Sequence, residues 1–163
     1  MAESRRPPGG PLNAADYQAM AAFRLSLRKF AAYSEAAAVS VGLTAQQHQA
    51  MLAIRAHTGE EPMTISELAD CLLIKNHSAV GLVARLVERR LVTRTPSPID
   101  RRRILLRLTP EADLLVEKVT STNMRELSAS LPIFRDLLKS LKRLSEDHSE
   151  RSSRTAGARG GGA

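Results

Sequence analysis

The sequence is poor in cysteine, in aromatic residues and in long apolar runs. Its 163 residues include one cysteine, Cys71, no tryptophan, and 3% aromatic residues in total. A single cysteine excludes a disulfide within the chain and indicates a reducing, cytoplasmic location. No apolar run reaches the length of a membrane span, and no apolar segment follows Arg5 and Arg6 as it would in a signal peptide.

The chain also lacks the usual arrangements of catalytic and metal-binding residues. It has no paired carboxylates in one frame, no Ser/His/Asp arrangement and no glycine-rich phosphate loop. His48 and His57 lie nine residues apart, which is no metal-ligand spacing, and we interpret them as surface histidines. Cys71 is interpreted as a small buried hydrophobe rather than a redox switch. We therefore expect no enzyme, no metal site and no cofactor.

Arginine is abundant, and it is concentrated in one segment. The formal net charge is +7, and residues 85–107 alone carry eight arginines against Glu88 and Asp100, a net +6. Guanidinium groups match phosphate oxygens in pairs and displace counterions from polyanions. The segment therefore indicates a polyanionic partner, with a solvated basic face as the alternative.

Apolar periodicity predicts a mainly α-helical chain with one small β-hairpin. Capping-box sequences at Thr44 and Thr64 mark two helix starts, and Thr109 followed by Pro110 marks a third. The alternation of arginine and apolar residues over 103–108, after a turn at 96–100, predicts the hairpin. The predicted helices cover approximately residues 14–38, 45–57, 65–72, 76–89, 110–128 and 132–144. Residues 1–13 and 145–163 are predicted to be disordered.

Three short helices followed by an arginine-tipped hairpin form the order of a winged helix-turn-helix. In such a unit the second helix of the turn enters the DNA major groove, and the hairpin, or wing, reaches the minor groove. Over residues 14–144 the chain resembles the MarR family of bacterial regulators. The resemblance rests on residues 43–44, 64–69, 78–86, 91–94 and above all 100–112, where an Asp-Arg pair precedes a strand and Leu-Thr.

The resemblance implies a homodimer whose interface is formed by the first helix, residues 14–38, and by the last two helices, residues 110–144. It also implies a winged helix-turn-helix over about residues 43–108, and release of DNA when a small phenolic or aromatic ligand binds. Three features depart from the family pattern. Residues 75–78 stand where the family often has a Ser-Arg-Ser-Thr run. Gly81 stands where a second polar or basic residue that contacts bases is common. Arg90 stands where a glycine usually ends the recognition helix.

We predict DNA contacts from the recognition helix and the wing. For Arg85 and Arg89 an internal ion pair to Glu88 or Glu67 is the alternative, and Asp100 is expected to orient a wing arginine through a charge-assisted bond. The predicted DNA-binding residues are Lys75, Asn76, His77, Ser78, Arg85, Arg89, Arg94, Asp100, Arg101, Arg102 and Arg103. Candidates for an effector site are Tyr17, Arg24, Phe30, Tyr33, His48 and Met51.

Two apolar stripes remain for dimerisation. Residues 17–31 form one, and Leu127, Leu131, Phe134, Leu138 and Leu141 form a second with coiled-coil spacing. The alternative is that the stripes pack on each other within one subunit. The sequence thus predicts a homodimeric, sequence-specific transcriptional regulator that binds a pseudo-palindromic duplex and is a repressor released by a ligand. A non-specific or architectural DNA-binding protein and a dimeric protein-interaction module on the same fold are the alternatives.

Overall fold

The computed structural model describes residues 14–139 and 142, and it confirms a mainly helical chain with a hairpin wing. The elements are α1 (Ala14–Val39), α2 (Ala45–Ala56), α3 (Ile65–Cys71), α4 (Asn76–Glu88), β1 (Val92–Pro96), β2 (Ile104–Leu108) and α5 (Pro110–Ala129). Residues 131–139 are also helical and are labelled α6. In this part of the chain no helix combines the length and apolarity needed to cross a membrane.

Some predictions fall on residues that the structure does not describe. The predicted disorder of residues 1–13 and 145–163 lies outside the described residues, as do Leu141 and the expected end of the last helix near Leu144.

The starts of α2 and α3 follow from local sequence chemistry. The hydroxyl of Thr44 accepts a hydrogen bond from the Gln47 N–H at 3.2 Å, and the Gln47 side chain accepts one from the Thr44 N–H at 3.0 Å. Thr64 and Glu67 repeat this reciprocal pair at the start of α3, at 3.3 and 2.7 Å. Each cap satisfies backbone donors that the helix leaves unpaired, which is worth about 1 kcal/mol. Both predicted capping boxes are confirmed.

Three helices end in the Schellman motif, in which one residue beyond the helix adopts a left-handed backbone conformation. In α1 this residue is Gly42, with φ of 75°. The N–H of Leu43 then donates to the carbonyl of Ala38 at 3.0 Å. Glycine takes this conformation without a Cβ clash, which explains why the helix ends before Gly42.

Helices α3 and α4 place larger residues at the same position. Leu73 has φ of 53° and Arg90 has φ of 59°. After Arg90 the N–H of Leu91 donates to the carbonyl of Leu86 at 2.9 Å, which closes the motif. The left-handed conformation costs a residue with a Cβ roughly 1–2 kcal/mol. Leu73 is 94% exposed, so packing offsets little of that cost.

The described chain divides into two compact units. The central unit comprises residues 31–126, and the terminal unit comprises residues 14–30, 127–139 and 142. The core of the central unit is built on the inner face of α4, where Leu82, Val83 and Leu86 are buried together with Met51 and Leu68. The central unit contains both the helix-turn-helix and the wing, so the candidate DNA interface lies within this one unit.

The wing is a two-stranded antiparallel hairpin that is extended by a third segment. Val92 pairs with Leu108 and Pro96 with Ile104. The N–H of Leu106 also donates to the carbonyl of Met63 at 2.8 Å, next to an isolated bridge between residues 64 and 105. The segment before α3 therefore pairs with β2, which fixes the wing to the helix-turn-helix.

The terminal unit contains an aromatic contact and much exposed apolar surface. The rings of Phe23 and Phe134 meet edge to face with centroids 6.1 Å apart. Ser26 is buried and donates to the carbonyl of Phe23 at 2.7 Å. The two predicted apolar stripes thus touch through these rings, but large apolar residues of both remain exposed: Tyr17, Met20, Leu27, Leu131 and Leu138.

Two sequence-based interpretations of burial were wrong. Cys71 is exposed at the end of α3, whereas Leu68 and Ala69 are the buried residues of that helix. His48 is only 2% exposed, and its Nε2 has no hydrogen-bond partner among the described residues. Desolvation lowers the pKa of His48 below the ordinary value of 6.5.

Replacing Leu73 with glycine is expected to stabilise the fold. The variant Leu73→Gly relieves the left-handed strain, and the added freedom of the unfolded chain offsets part of the gain. We expect a net increase of about 0.5–1 kcal/mol in the free energy of unfolding. Urea unfolding at one fixed protein concentration measures this change.

Gly42→Ala is the matched control for this experiment. Its φ of 75° disfavours alanine, while the new Cβ would meet the Arg89 side chain at 3.9 Å, an ordinary contact. We expect a loss of about 1 kcal/mol from the backbone alone. A loss of stability in Leu73→Gly would show that residue 73 is not strained.

The burial of His48 predicts a loss of stability in mild acid. Because its pKa is lowered in the folded state, the unfolded chain binds the proton more readily. The contribution of His48 to stability is therefore complete above pH 6.5 and declines as the pH falls, by at most about 1.4 kcal/mol per pH unit. Urea unfolding between pH 7.5 and 5 should show a shallower decline for His48→Leu, and parallel curves would contradict the prediction.

Candidate nucleic-acid interface

The outer face of α4 carries the first group of predicted DNA-binding residues. Lys75, His77, Ser78 and Arg85 are all exposed, because the opposite face of α4 is filled with core residues. Gly81 lies on the same side, and a Cβ there would meet only the Arg85 guanidinium, at 3.7 Å. The helix therefore presents a polar, basic surface whose centre is open.

The start of α4 differs from the starts of α2 and α3. Lys75 occupies the N-cap position without a side-chain cap, and no acidic residue lies in the first turn. Free N–H groups and the positive end of the helix dipole favour an anion such as phosphate. Among the described helices with an N-cap assignment, α4 is thus the one whose start is available for a ligand.

Asn76, at the start of α4, has a side-chain hydrogen-bond partner within the protein. Its Nδ2 donates to the Ser66 hydroxyl at 2.9 Å and so joins α4 to α3. The side-chain amide keeps its carbonyl oxygen for another donor. Asn76 therefore positions the recognition helix, and its predicted DNA contact stays a prediction.

The wing loop, residues 97–103, is organised by one buried hydroxyl. Ser97 is 1% exposed, and its Oγ donates to Glu61 Oε1 at 2.8 Å. The same Oγ accepts the N–H of Ile99 at 3.2 Å and of Asp100 at 3.4 Å. The loop is therefore held by side-chain hydrogen bonds although it contains no glycine.

Asp100 shapes the turn in a way that differs from its predicted role. Its Oδ1 accepts the backbone N–H of Arg102 at 3.0 Å, and its carbonyl accepts that of Arg103 at 2.9 Å. The expected charge-assisted bond to a wing guanidinium is not among the contacts of the described residues. Asp100 therefore orients the wing arginines by fixing their backbone. Its short side chain reaches the amide two residues ahead more easily than it reaches a guanidinium group.

Arg103 ties the wing to the helix-turn-helix. Its Nη1 lies 2.9 Å from Glu61 Oε2 and its Nη2 lies 3.7 Å from Glu67 Oε1. The backbone N–H and hydroxyl of Thr64, and further the positive field of His57 and Arg103, lower the pKa of Glu67. Glu67 is therefore charged at neutral pH, and Arg103 serves first as an internal anchor.

The other wing arginines are exposed. Arg101 and Arg102 lie at the tip, and Arg94 lies on β1. Arg102 also borders a groove of about 440 Å³ between the wing, the start of α3 and the start of α4. The structure thus places Arg102 and Asn76 at the same groove. The sequence could predict this proximity only through the family resemblance.

Arg89 has internal partners that the sequence did not indicate. Its Nη1 donates to the carbonyl of Gly42 at 2.9 Å and to Gln47 Oε1 at 3.0 Å. The ion pairs to Glu88 and Glu67 that the sequence left as alternatives are not among the contacts of the described residues, and Glu67 faces Arg103. Arg89 therefore links the end of α4 to the turn between α1 and α2.

The predicted effector residues fall in both units. In the terminal unit Tyr17 and Arg24 are exposed and Phe30 is half-buried. In the central unit Tyr33 is partly exposed, while Met51 and His48 are buried. Met51 is a core residue that packs in the main cluster, so it presents no surface to a ligand in this conformation.

Sequence reasoning missed Glu61 and Ser97, which together set the wing. Glu61 lies 36 residues before Ser97 and 42 before Arg103. A glutamate in a polar loop carries no local signal of such a contact. An excess of arginine in the hairpin could at most have suggested that some internal carboxylate balances it.

The Glu61 contacts predict a local effect of its removal. Glu61→Ala should lower the free energy of unfolding by roughly 1–3 kcal/mol, because the ion pair with the exposed Arg103 contributes little while the buried Ser97 hydroxyl loses its acceptor. Amide hydrogen exchange of residues 97–103 should speed up more than that of α4. Glu60→Ala, an exposed neighbour in the same loop, should leave exchange unchanged. Equal exchange in the two variants would contradict the anchoring role of Glu61.

Comparison with known proteins identifies a family model that matches part of the chain. Residues 41–103 match the model of the MarR family. Comparison with curated proteins gives no match. Among solved structures, a mutant of MepR from Staphylococcus aureus bound to an oligodeoxyribonucleotide is 21% identical with a TM-score of 0.58, covering 87% of this chain and 94% of that one.

Two further structures show the same fold. BpsR from Bordetella bronchiseptica, whose DNA binding is regulated by 6-hydroxynicotinic acid, is 21% identical with a TM-score of 0.59, covering 83% of this chain and 98% of that one. RV1404 from Mycobacterium tuberculosis is 25% identical with a TM-score of 0.60, covering 75% and 82%. Residues 41–103 thus match the MarR family model, and the chain has the fold of these solved structures.

Proposed function

We propose that this chain is a homodimeric transcription regulator that binds a specific duplex DNA site through α4 and the wing. The observation that carries the proposal is the joint exposure of the uncapped, basic start of α4 and the arginines of the wing tip within one unit. A helix and a wing so placed can bind adjacent major and minor grooves.

Within this proposal the predicted contact residues divide into two groups. Lys75, His77, Ser78 and Arg85 contact the major groove and its phosphates, and Arg94, Arg101 and Arg102 contact the minor groove and its borders. Four residues act mainly by positioning these groups: Asn76, Arg89, Asp100 and Arg103. Their side chains already have partners in the protein at 2.9 to 3.0 Å.

The exposed apolar residues of the terminal unit support homodimerisation. Tyr17, Met20 and Leu27 on α1 and Leu131 and Leu138 on α6 are all exposed in the single chain. Large apolar side chains in such number favour burial in an interface. A dimer with twofold symmetry would place two copies of the α4 and wing surface on a pseudo-palindromic site.

A small aromatic effector is the regulatory part of the proposal. BpsR, a protein of the same fold, is regulated by such a molecule. In this chain α2 and α5 border a cavity of about 270 Å³ lined by Leu52, Leu114 and Arg55, among others. The lining also includes Glu117 and Asp113, and Asp113 pairs with Arg55 at 3.3 Å. Apolar walls with these carboxylates suit a small aromatic molecule that donates a hydrogen bond, such as a phenol. The test is to add small phenols and aromatic acids to the protein–DNA complex, and we expect a phenol to release the bound duplex and so relieve repression.

Selection of duplexes from a random pool tests the proposed function. The chain should enrich one pseudo-palindromic sequence at moderate salt. Uniform binding of all duplexes would instead support the architectural alternative, and absence of binding would support a protein-interaction module.

The wing arginines predict a defined salt dependence on the selected duplex. Arg101→Ala/Arg102→Ala should weaken binding and make the slope of log K against log salt shallower by one to two units, at roughly 0.9 per lost phosphate contact. Arg125→Ala, an exposed arginine on α5, should keep the wild-type slope. Full affinity of the double variant would overturn the assignment of the wing to DNA.

A further inference from the structure

The wing tip carries an apolar residue that the turn does not require. Ile99 is 82% exposed in the loop Ser-Pro-Ile-Asp-Arg-Arg-Arg, residues 97–103. Turns favour Gly, Pro, Asn, Asp and Ser, each for a backbone or hydrogen-bonding reason that isoleucine does not share. An exposed isoleucine at this place therefore contributes nothing evident to the fold of the hairpin.

The backbone of Ile99 is nonetheless held in place. Its N–H donates to the Oγ of Ser97 at 3.2 Å, and that hydroxyl is itself fixed by the Glu61 carboxylate at 2.8 Å. Pro98 precedes it, and its ring fixes the φ of Pro98 itself, which stiffens this part of the loop. The side chain is β-branched and has few rotamers. Ile99 is thus exposed to solvent in a fixed position. Ordering its side chain on binding therefore costs little conformational entropy.

The charges near Ile99 indicate what kind of surface could cover it. The Asp100 carboxylate accepts the Arg102 N–H, and Arg103 is paired with Glu61. Arg101 and Arg102 are exposed and have no carboxylate partner among the described residues. An apolar side chain beside two such cations fits a polyanion with an apolar interior, and the DNA minor groove between its phosphate rows has this character.

We propose that Ile99 inserts into the minor groove as a wedge that partly unstacks one base step and bends the duplex. Proteins that bend DNA through the minor groove use Ile, Leu, Phe, Met or Pro for this purpose. Arg101 and Arg102 hold the flanking phosphates while the wedge opens the step. Flexible steps such as TA and CA/TG are the easiest to unstack, so the wing contributes sequence preference through deformability. This inference rests on the proposed DNA binding.

The test compares Ile99→Ser with the wild-type chain on end-labelled duplexes. The duplexes are the sequence enriched from the random pool and a mixed-sequence duplex of the same length. Fluorescence energy transfer between the two ends reports the bend, and 2-aminopurine placed at the wing-facing step reports unstacking. We expect Ile99→Ser to bend DNA less, to lose the 2-aminopurine increase and to bind on the order of tenfold more weakly.

Two controls separate a wedge from a charge effect and from general loss of apolar surface. Ile99→Leu should keep the bend, and Val39→Ser, at an exposed apolar residue in the last turn of α1, should change neither bend nor 2-aminopurine signal. Ile99→Ser removes no charge, so its salt slope should equal that of the wild type, in contrast to the wing arginine variant.

Each outcome has one meaning. An unchanged bend in Ile99→Ser, with or without weaker binding, overturns the wedge and leaves DNA binding intact. Absence of wild-type binding to any duplex overturns the proposed function and the wedge together. Because Ile99 is exposed, its variants should keep the wild-type melting temperature, which confirms that a lost bend does not reflect misfolding.

Discussion

The burial of one face of α4 is the constraint on which the rest of the central unit depends. Ala79, Leu82, Val83 and Leu86 are at most 2% exposed. Burying each larger side chain stabilises the fold by about 1.5–3 kcal/mol, so rotation of the helix would cost several of these contributions at once. The orientation of the outer face is therefore set by apolar packing, and polar residues on that face are free to vary without loss of the fold.

Local chemistry made much of the fold predictable. Capping boxes at Thr44 and Thr64 and the alternation over residues 103–108 act within a few residues, so they predicted element type and start well. The contacts of Glu61 were not predictable, because they join a loop to residues 36 and 42 positions away. The burial of His48 was missed for a related reason, since its environment is made by packing and not by the sequence around it.

The arginines of residues 85–107 illustrate how charge composition and charge function differ. The excess correctly indicated a basic surface, but Arg89 and Arg103 are occupied by partners in the protein. Each of these long side chains contacts at least one residue that lies more than 40 positions earlier in the chain. Some of the arginines thus stabilise the unit through internal contacts. The arginines that remain available to a ligand are concentrated at the wing tip and on the outer face of α4.

The pairing of Leu106 with Met63 has a consequence for how such a protein could adapt to DNA. A hairpin joined to the body only by its two ends could swing, but this hairpin shares a sheet with the segment that leads into α3. The wing and the helix-turn-helix therefore move as one rigid body. In the proposed complex, any mismatch between this rigid body and a given duplex would be absorbed by the curvature of the duplex or by the angle between the two copies of the chain.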